Sequence, residues 1–504
     1  MPLTRPLRTL SVMVVLCLGL GARAAGTSSS EALFSEAMQF SDSRRDAATS
    51  LLIDPTLGPA GRRCVRESAW YALGLLMRDG PGDRARALQV IDRVLANQLS
   101  GPGQPWDGTF RRFPEDPTPR PDAVMWRDYD PNWREFIGTT FALTLIQFEP
   151  SLPRDLCARM TEAIRRAVEG ERAQKRLTPH YTNIAIMYGF LLSYAGHRLD
   201  RPEWIAESER WAGEVHALYA RTGTFEEYNS PTYYGVDLFG LALWRRYGPS
   251  DALRRYGKEM EAGLWREIAL FYNAELRNLC GPFDRAYGMD MNAYVSLVGA
   301  WISLGVPAAA RPLPDSGRPM DHERDFECIP TYVAVGAEVP ADVASSLVCF
   351  GGERLLSRTI DEHRKATAWI SRDLMVGGET TGLTRASGER LGQFHPATIH
   401  WRLGRAGIGW IVLREAPPID ATAETGLLRI TTVKGESVFW VRAPGIDPKT
   451  IAPHQWELPG LSLSVETDGT IEPVSVQDGV VRVAYRDASR LVLRPRRVMP
   501  APAP

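Results

Sequence analysis

Three short segments of this chain share one grammar, and their spacing constrains the fold more than any other feature. Asp130-Pro131-Asn132-Trp133, Thr178-Pro179-His180-Tyr181 and Ser230-Pro231-Thr232-Tyr233 each place a small polar side chain just before a proline. Asp, Thr and Ser cap the free amides of a first helical turn, and proline at the first helical position loses no needed donor. The three prolines lie 48 and 52 residues apart. That distance holds one helix out, one helix back and two loops, which is the period of stacked helical hairpins. Apolar residues recur at helical spacing over 69–77, 85–95, 136–145, 184–195, 236–244 and 294–304. Gly196-His197 and Gly248-Pro249 read as stops, and a fourth start is expected near Asp290. The predicted fold is an incomplete (α/α) toroid over 30–305, in which every second helix begins at the same mouth. Asn132, Trp133, His180, Tyr181, Asn183, Tyr233 and Tyr234 would ring that mouth.

Beyond residue 305 the pattern changes. The stretch 306–325 is rich in Pro, Gly and charge and reads as a linker. Short alternating or β-branched runs follow, separated by Gly, Pro and Asp. They predict an antiparallel β domain, a sheet or sandwich, over 326–498, with a disordered tail at 499–504. At the other end, Arg5 and Arg8 precede an apolar run over 10–20, and Ala22-Arg23-Ala24 offers small residues for cleavage. Residues 1–26 therefore read as a secretory signal peptide, with a periplasmic or extracellular destination. No other apolar run is long enough to span a bilayer.

The 59 basic and 60 acidic residues nearly cancel, so no net field draws the chain to nucleic acid or an anionic membrane. Cys64, Cys157, Cys280, Cys328 and Cys349 are scattered with no CxxC pair, and the eight histidines form no HExxH. Neither a metal nor another cofactor is called for.

The densest chemistry lies in Gly223-Thr-Phe-Glu-Glu-Tyr-Asn-Ser-Pro-Thr-Tyr-Tyr-Gly235. Glu227, Asn229 and Tyr233 there suit a sugar, since flat rings cover its apolar face while amides and carboxylates bind its hydroxyls. Gly281-Pro-Phe-Asp-Arg-Ala-Tyr-Gly-Met-Asp290 adds Asp284, Arg285 and Tyr287. Trp126-Arg-Asp-Tyr-Asp-Pro-Asn-Trp133 adds two tryptophans as sugar platforms. Each also has a plain structural reading, as caps, rim packing or an Asp284–Arg285 ion pair. In the β domain, Gln393-Phe-His-Pro-Ala-Thr-Ile-His-Trp401 carries His395 and His400, five positions apart and so on opposite faces of a regular strand.

Here a resemblance becomes specific. Asn132-Trp133-Arg-Glu-Phe-Ile-Gly138 resembles the Asn-Trp-x-x-x-x-Gly helix start of the hyaluronate and chondroitin AC lyases. Gly223-Thr-Phe-Glu-Glu-Tyr228 with Tyr234-Gly235 is similar to their Gly-Ser-Phe-x-x-His segment and later Tyr-Gly. Thr182-Asn183 resembles the position of their substrate-binding asparagine, and Asp284-Arg285 their Gly-Arg-x-x-Ser-Arg stretch. Heparinase II/III-type lyases share the architecture. Tyr228 stands where that family keeps its histidine.

The resemblance implies an α/α toroid followed by β-sandwich domains, acting on a polysaccharide or oligosaccharide by β-elimination. Such an enzyme removes the proton beside a uronate carboxylate and expels the oxygen at the next carbon. Donors aimed at the carboxylate stabilise the enolate-like state, and an acid protonates the leaving oxygen. By the resemblance Asn183 neutralises the carboxylate and Tyr234 is the acid and a candidate base, while Arg285 either holds Tyr234 in its working ionisation or binds the acidic chain. Tyr228 or His180 supplies what the missing histidine did. An unperturbed tyrosine titrates near pH 10, so a base role needs a nearby cation. Two other readings stay open. One is a glycoside hydrolase using a pair among Glu226, Glu227, Asp284, Asp128 and Asp130; the other is a glycan-binding protein without catalysis.

Overall fold

The structure is a computed structural model that describes residues 28–404 and 407–498. The expected leader, 1–26, and tail, 499–504, lie outside the described residues.

Among the described residues, eleven helices build the first body. After α1 (Ser29–Ser43) come four hairpins: α2 (Val65–Arg78) with α3 (Asp83–Leu95), α4 (Trp133–Phe148) with α5 (Arg154–Gln174), α6 (Thr182–Arg198) with α7 (Pro202–Ala220), and α8 (Tyr233–Tyr247) with α9 (Asp251–Phe271). α10 (Leu297–Gly305) and α11 (Ile329–Val335) follow. The first helix of each pair packs on the first helix of the next, and α11 packs on both α8 and α2, closing the ring. The sequence explains which helices lie inside. α4 is buried continuously over 137–145 and α6 over 182–196, so neither has a face for water. α5 and α9 are amphipathic, with buried positions recurring every three or four residues, and form the outer layer. Glycines let inner helices approach closely: a Cβ at Gly240 would meet the Ile186 side chain at 2.6 Å, and one at Gly235 the Leu297 backbone at 2.5 Å.

The helix starts differ from expectation in one respect. The helices begin at Trp133, Thr182 and Tyr233, after a turn that contains the proline. Asp130 and Ser230 still satisfy backbone amides, those of Asn132 at 2.9 Å and Tyr233 at 2.8 Å, but as turn-formers ahead of the helix. The start expected near Asp290 is a turn, and α10 begins at Leu297.

The expected linker is part of the helical body. Arg311 bonds the Ser29 carbonyl at 2.7 Å, Val306 and Met320 are buried, and α11, just beyond, completes the ring. Its Pro and Gly content hid a segment held by packing rather than by regular structure. The helical body thus runs to Val335, and the sheet begins at Arg354 instead of near 326.

Among the described residues, the second body is one antiparallel sheet of 13 strands. Strands Ile408–Glu424, Leu427–Arg442 and Val480–Arg497 are long and bend at register shifts. The end of the first folds back over strands Lys365–Ile370 and Leu374–Thr380: Ala423 N–H donates to Thr367 Oγ1 at 2.8 Å. The sheet so closes on itself as a sandwich around Trp401, Phe439, Trp456 and Tyr485.

The two bodies share a core and a polar seam. Ala366, Ile370, Met375, Ile408, Trp410 and Val412 pack with the helical core. Phe283 and His395 exchange backbone hydrogen bonds at 3.0 and 2.8 Å. Gly377 lies so close to Gly281 that a Cβ there would sit 2.0 Å from its carbonyl oxygen. Asp284, fully buried, is paired with Arg364 at 2.6 Å and with Arg385, both from the β domain. Arg358 reaches Glu267 at 2.9 Å.

Candidate active site

The N-termini of α2, α4, α6, α8 and α10 meet at one mouth, and a cavity of about 360 Å³ opens there. Asn132, Trp133, Tyr181, Asn183, Tyr233 and Tyr287 line it. Arg66, Asp130, His322, Arg324 and Asp325 also line it, with the rings of Trp70 and Phe136. Arg66 lies over the rings of Trp70 and Trp133, 4.5 and 4.6 Å from their centroids. The positive ends of the inner helix dipoles point into this space and favour an anionic group.

A chain of hydrogen bonds runs behind the cavity wall. Asn132 Nδ2 donates to the Tyr181 hydroxyl at 2.8 Å. Asn183 Nδ2 and Thr182 Oγ1 both donate to Glu227 Oε2. Arg285 Nη1 donates to Glu227 Oε1 at 2.6 Å, its Nη2 to the Tyr233 hydroxyl at 2.6 Å, and its Nε to Gln393 Oε1 of the β domain at 2.9 Å. The Tyr233 and Tyr287 hydroxyls lie 2.6 Å apart. The carbonyl oxygens of Asn132 and Asn183 are buried without a protein partner. Each amide nitrogen carries two hydrogens, one of which is spent in this chain.

Burial pushes the Tyr233 phenol well above its ordinary value, Tyr287 adds to this, and Arg285 opposes it. Tyr233 is therefore a proton donor at neutral pH. Burial pushes Tyr181 up to about 12. Burial disfavours charge on Arg285, but Tyr233 and Glu227 outweigh that and keep it protonated. Burial raises both Asp130 and Asp325 above the ordinary aspartate value, against the pull of nearby arginines.

Several expected site residues lie elsewhere. Tyr234 is fully buried, its hydroxyl 2.9 Å from Thr224 Oγ1, and it does not line the cavity. Tyr228 is fully buried and donates to Glu267 at 2.7 Å. Adjacent residues on a helix point about 100° apart, so only one tyrosine of the pair can face the mouth, and it is Tyr233. Glu227 braces the wall from behind. Asn229, in a left-handed conformation, donates to the carbonyls of Cys280 and Pro282 and shapes the loop. Asp284 belongs to the domain seam. Trp126 is 54% exposed on a loop outside the cavity, and His180 is an exposed partner of Glu226 at 2.5 Å. His395 and His400 are both buried against the same loop, bonding the carbonyls of Ala286 and Met289. The opposite-face expectation failed because His395 precedes Pro396 and lies outside the strand Ala397–Arg402.

Sequence reasoning missed Arg66, His322, Arg324 and Asp325. Three of them lie in or beside the stretch read as a linker, and Arg66 sits in no motif.

The profile of a family described as "Domain of unknown function (DUF8769)" matches residues 31–338. The chain belongs to the DUF8769 family. A second profile, "Domain of unknown function (DUF8770)", matches residues 353–481, so the DUF8769 region ends where α11 ends and the second match begins with the sheet. No curated protein matches the sequence. Among solved structures, the DUF8769 chain is similar to heparinase III, with 9% identity over 97% of this chain and 88% of that one, at a TM-score of 0.43. It is also similar to endoglucanase CelQ from Clostridium thermocellum complexed with cellotriose, with 9% identity over 94% and 93% of the two chains, at a TM-score of 0.28. Neither likeness is close enough to assign a role to a residue of this DUF8769 member.

Proposed function

We propose that this chain is an exported polysaccharide lyase that cleaves a uronate-containing glycan by β-elimination, with Tyr233 in the role expected of Tyr234. One observation carries the reading. The Tyr233 hydroxyl is held at the cavity wall by Arg285 and Tyr287, while Asn183, from the next inner helix, lines the same cavity.

The uronate carboxylate sits against Asn183 and Asn132, where free amide hydrogens and helix N-termini offset the charge that builds as the α-proton leaves. His322 lines the cavity, its ring 4.6 Å from that of Tyr287, and takes that proton. The C–H electron pair becomes the new double bond, the bond from the next carbon to oxygen breaks, and Tyr233 protonates the departing oxygen. Arg285 then faces a phenolate until Tyr233 recovers a proton.

A second reading has its own support. Asp130 and Asp325 line the cavity, and burial raises both, as a hydrolase acid requires. A panel of uronate polysaccharides separates the two. Elimination gives an ultraviolet-absorbing unsaturated end, lost in Tyr233→Phe and His322→Ala. Reducing ends without that absorbance, lost in Asp130→Asn or Asp325→Asn, would establish hydrolysis instead.

A further inference from the structure

Ser230 ties two parts of the cavity wall together. Its hydroxyl donates to the Arg285 carbonyl at 2.5 Å and accepts from the Tyr233 amide at 2.8 Å. The start of α8 is thereby pinned to the loop that carries Arg285, Ala286 and Tyr287. A second pin comes from the β domain, where the Gln393 carbonyl accepts from the Ala286 amide at 2.9 Å. Gly288, directly after Tyr287, is close-packed: a Cβ there would meet the Tyr294 ring at 2.5 Å. Between these anchors the Tyr287 hydroxyl stands 2.6 Å from that of Tyr233, with ring centroids 6.1 Å apart.

Donor arithmetic orders the protons. A guanidinium only donates, so Arg285 Nη2 takes one lone pair of the Tyr233 oxygen. The second lone pair is available to the Tyr287 hydroxyl. Among the described residues these two are the hydrogen-bond partners of the Tyr233 hydroxyl. With Tyr287 donating, the hydrogen of Tyr233 is left for a group in the cavity, as an acid aimed at a leaving oxygen requires.

Once Tyr233 gives that hydrogen away, its phenolate faces Arg285, which stays protonated, and Tyr287, which has a proton to give. Tyr287 also has access to water. It is 41% exposed and lines a second cavity, of about 330 Å³, as well as the first. Water therefore reaches it from the far side of the wall while a polymer fills the cavity at Tyr233.

We propose that Tyr287 returns a proton to Tyr233 after each elimination. Its O–H bond breaks as the Tyr233 O–H bond forms, and water reprotonates the exposed Tyr287 oxygen while His322 releases the α-proton to solvent. The inference rests on the reading of Tyr233 as the acid. Tyr233 is recharged through the wall, before the product has left.

Tyr287→Phe tests this, since it keeps the ring beside His322 and removes only the hydroxyl. Stopped-flow ultraviolet traces on a uronate polysaccharide separate the first elimination from those that follow. The first should slow by a few-fold at most and steady-state turnover by about tenfold or more, which leaves a burst equal to the concentration of active sites. Imidazole or phosphate added at fixed pH should restore the steady-state rate in proportion to its concentration, because a small acid then replaces the lost hydroxyl. The natural chain should show no such dependence. Equal slowing of both phases, slowing of neither, or indifference to added buffer would overturn the proposal. The natural chain and Tyr233→Phe give the independent check. If unsaturated ends form with the natural chain and vanish with Tyr233→Phe, any of those results discards the relay alone. Absence of unsaturated ends from the natural chain, or their persistence in Tyr233→Phe, discards the reading of Tyr233 as a lyase acid and the relay with it.

Discussion

Arg285 lies across Tyr233, its guanidinium carbon 3.7 Å from the ring centroid and one nitrogen 2.6 Å from the hydroxyl. The same guanidinium holds Glu227, which in turn holds Asn183. One side chain therefore sets the position of both the Tyr233 hydroxyl and the Asn183 amide.

The two neighbouring tyrosines should behave differently. Tyr233→Phe should lower turnover about a hundredfold or more, as loss of a general acid does. Tyr234→Phe should keep turnover within a few-fold and cost about 1 kcal/mol of stability, since it removes one buried hydrogen bond with Thr224. Steady-state rates and urea melts on both variants decide this.

Glu227→Ala should be costly without touching substrate. It leaves Arg285 and Asn183 without their shared anchor, and breaking a buried charge pair costs about 3–5 kcal/mol. Glu227→Gln should recover part of the stability, with a larger deficit in kcat than in melting temperature. Equal deficits in both would point to a merely structural role.

Asp284 should act as the clasp between the bodies. Asp284→Ala leaves Arg364 and Arg385 facing each other at a buried seam, with an expected loss of about 3–5 kcal/mol. Limited proteolysis should then cut within 336–353, the connection between α11 and the first sheet strand.

Acid should loosen the seam through its histidines. Burial depresses His395 from 6.5 to about 3 and His400 from 6.5 to about 4. Both stay neutral when folded and protonate when unfolded below pH 6.5. Their contribution is whole above that pH and is lost as pH falls toward those folded values, at about 1.4 kcal/mol per pH unit for each. Thermal melts between pH 7.5 and 5 should show a steeper fall for the natural chain than for His395→Gln/His400→Gln.

The hairpin period and the change to strands were legible because helix starts and strand alternation are local patterns. So was the gathering of Asn132, Trp133, Tyr181, Asn183 and Tyr233 at one mouth, though not that of His180 and Tyr234. The choice between Tyr233 and Tyr234 was not, since it depends on how α8 is rotated within the ring, which its buried neighbours decide. Nor were His322, Arg324 and Asp325, because a segment fixed only by packing has no periodicity. Glu227 and Asp284 were visible as unusual residues, but only the fold shows that they brace the site and the seam.

Mass spectrometry of the products formed in oxygen-18-labelled water distinguishes elimination from hydrolysis. Elimination gives unlabelled fragments with one end lighter by a molecule of water, absent with Tyr233→Phe. Fragments carrying solvent oxygen, or cleavage undiminished in Tyr233→Phe, would contradict it.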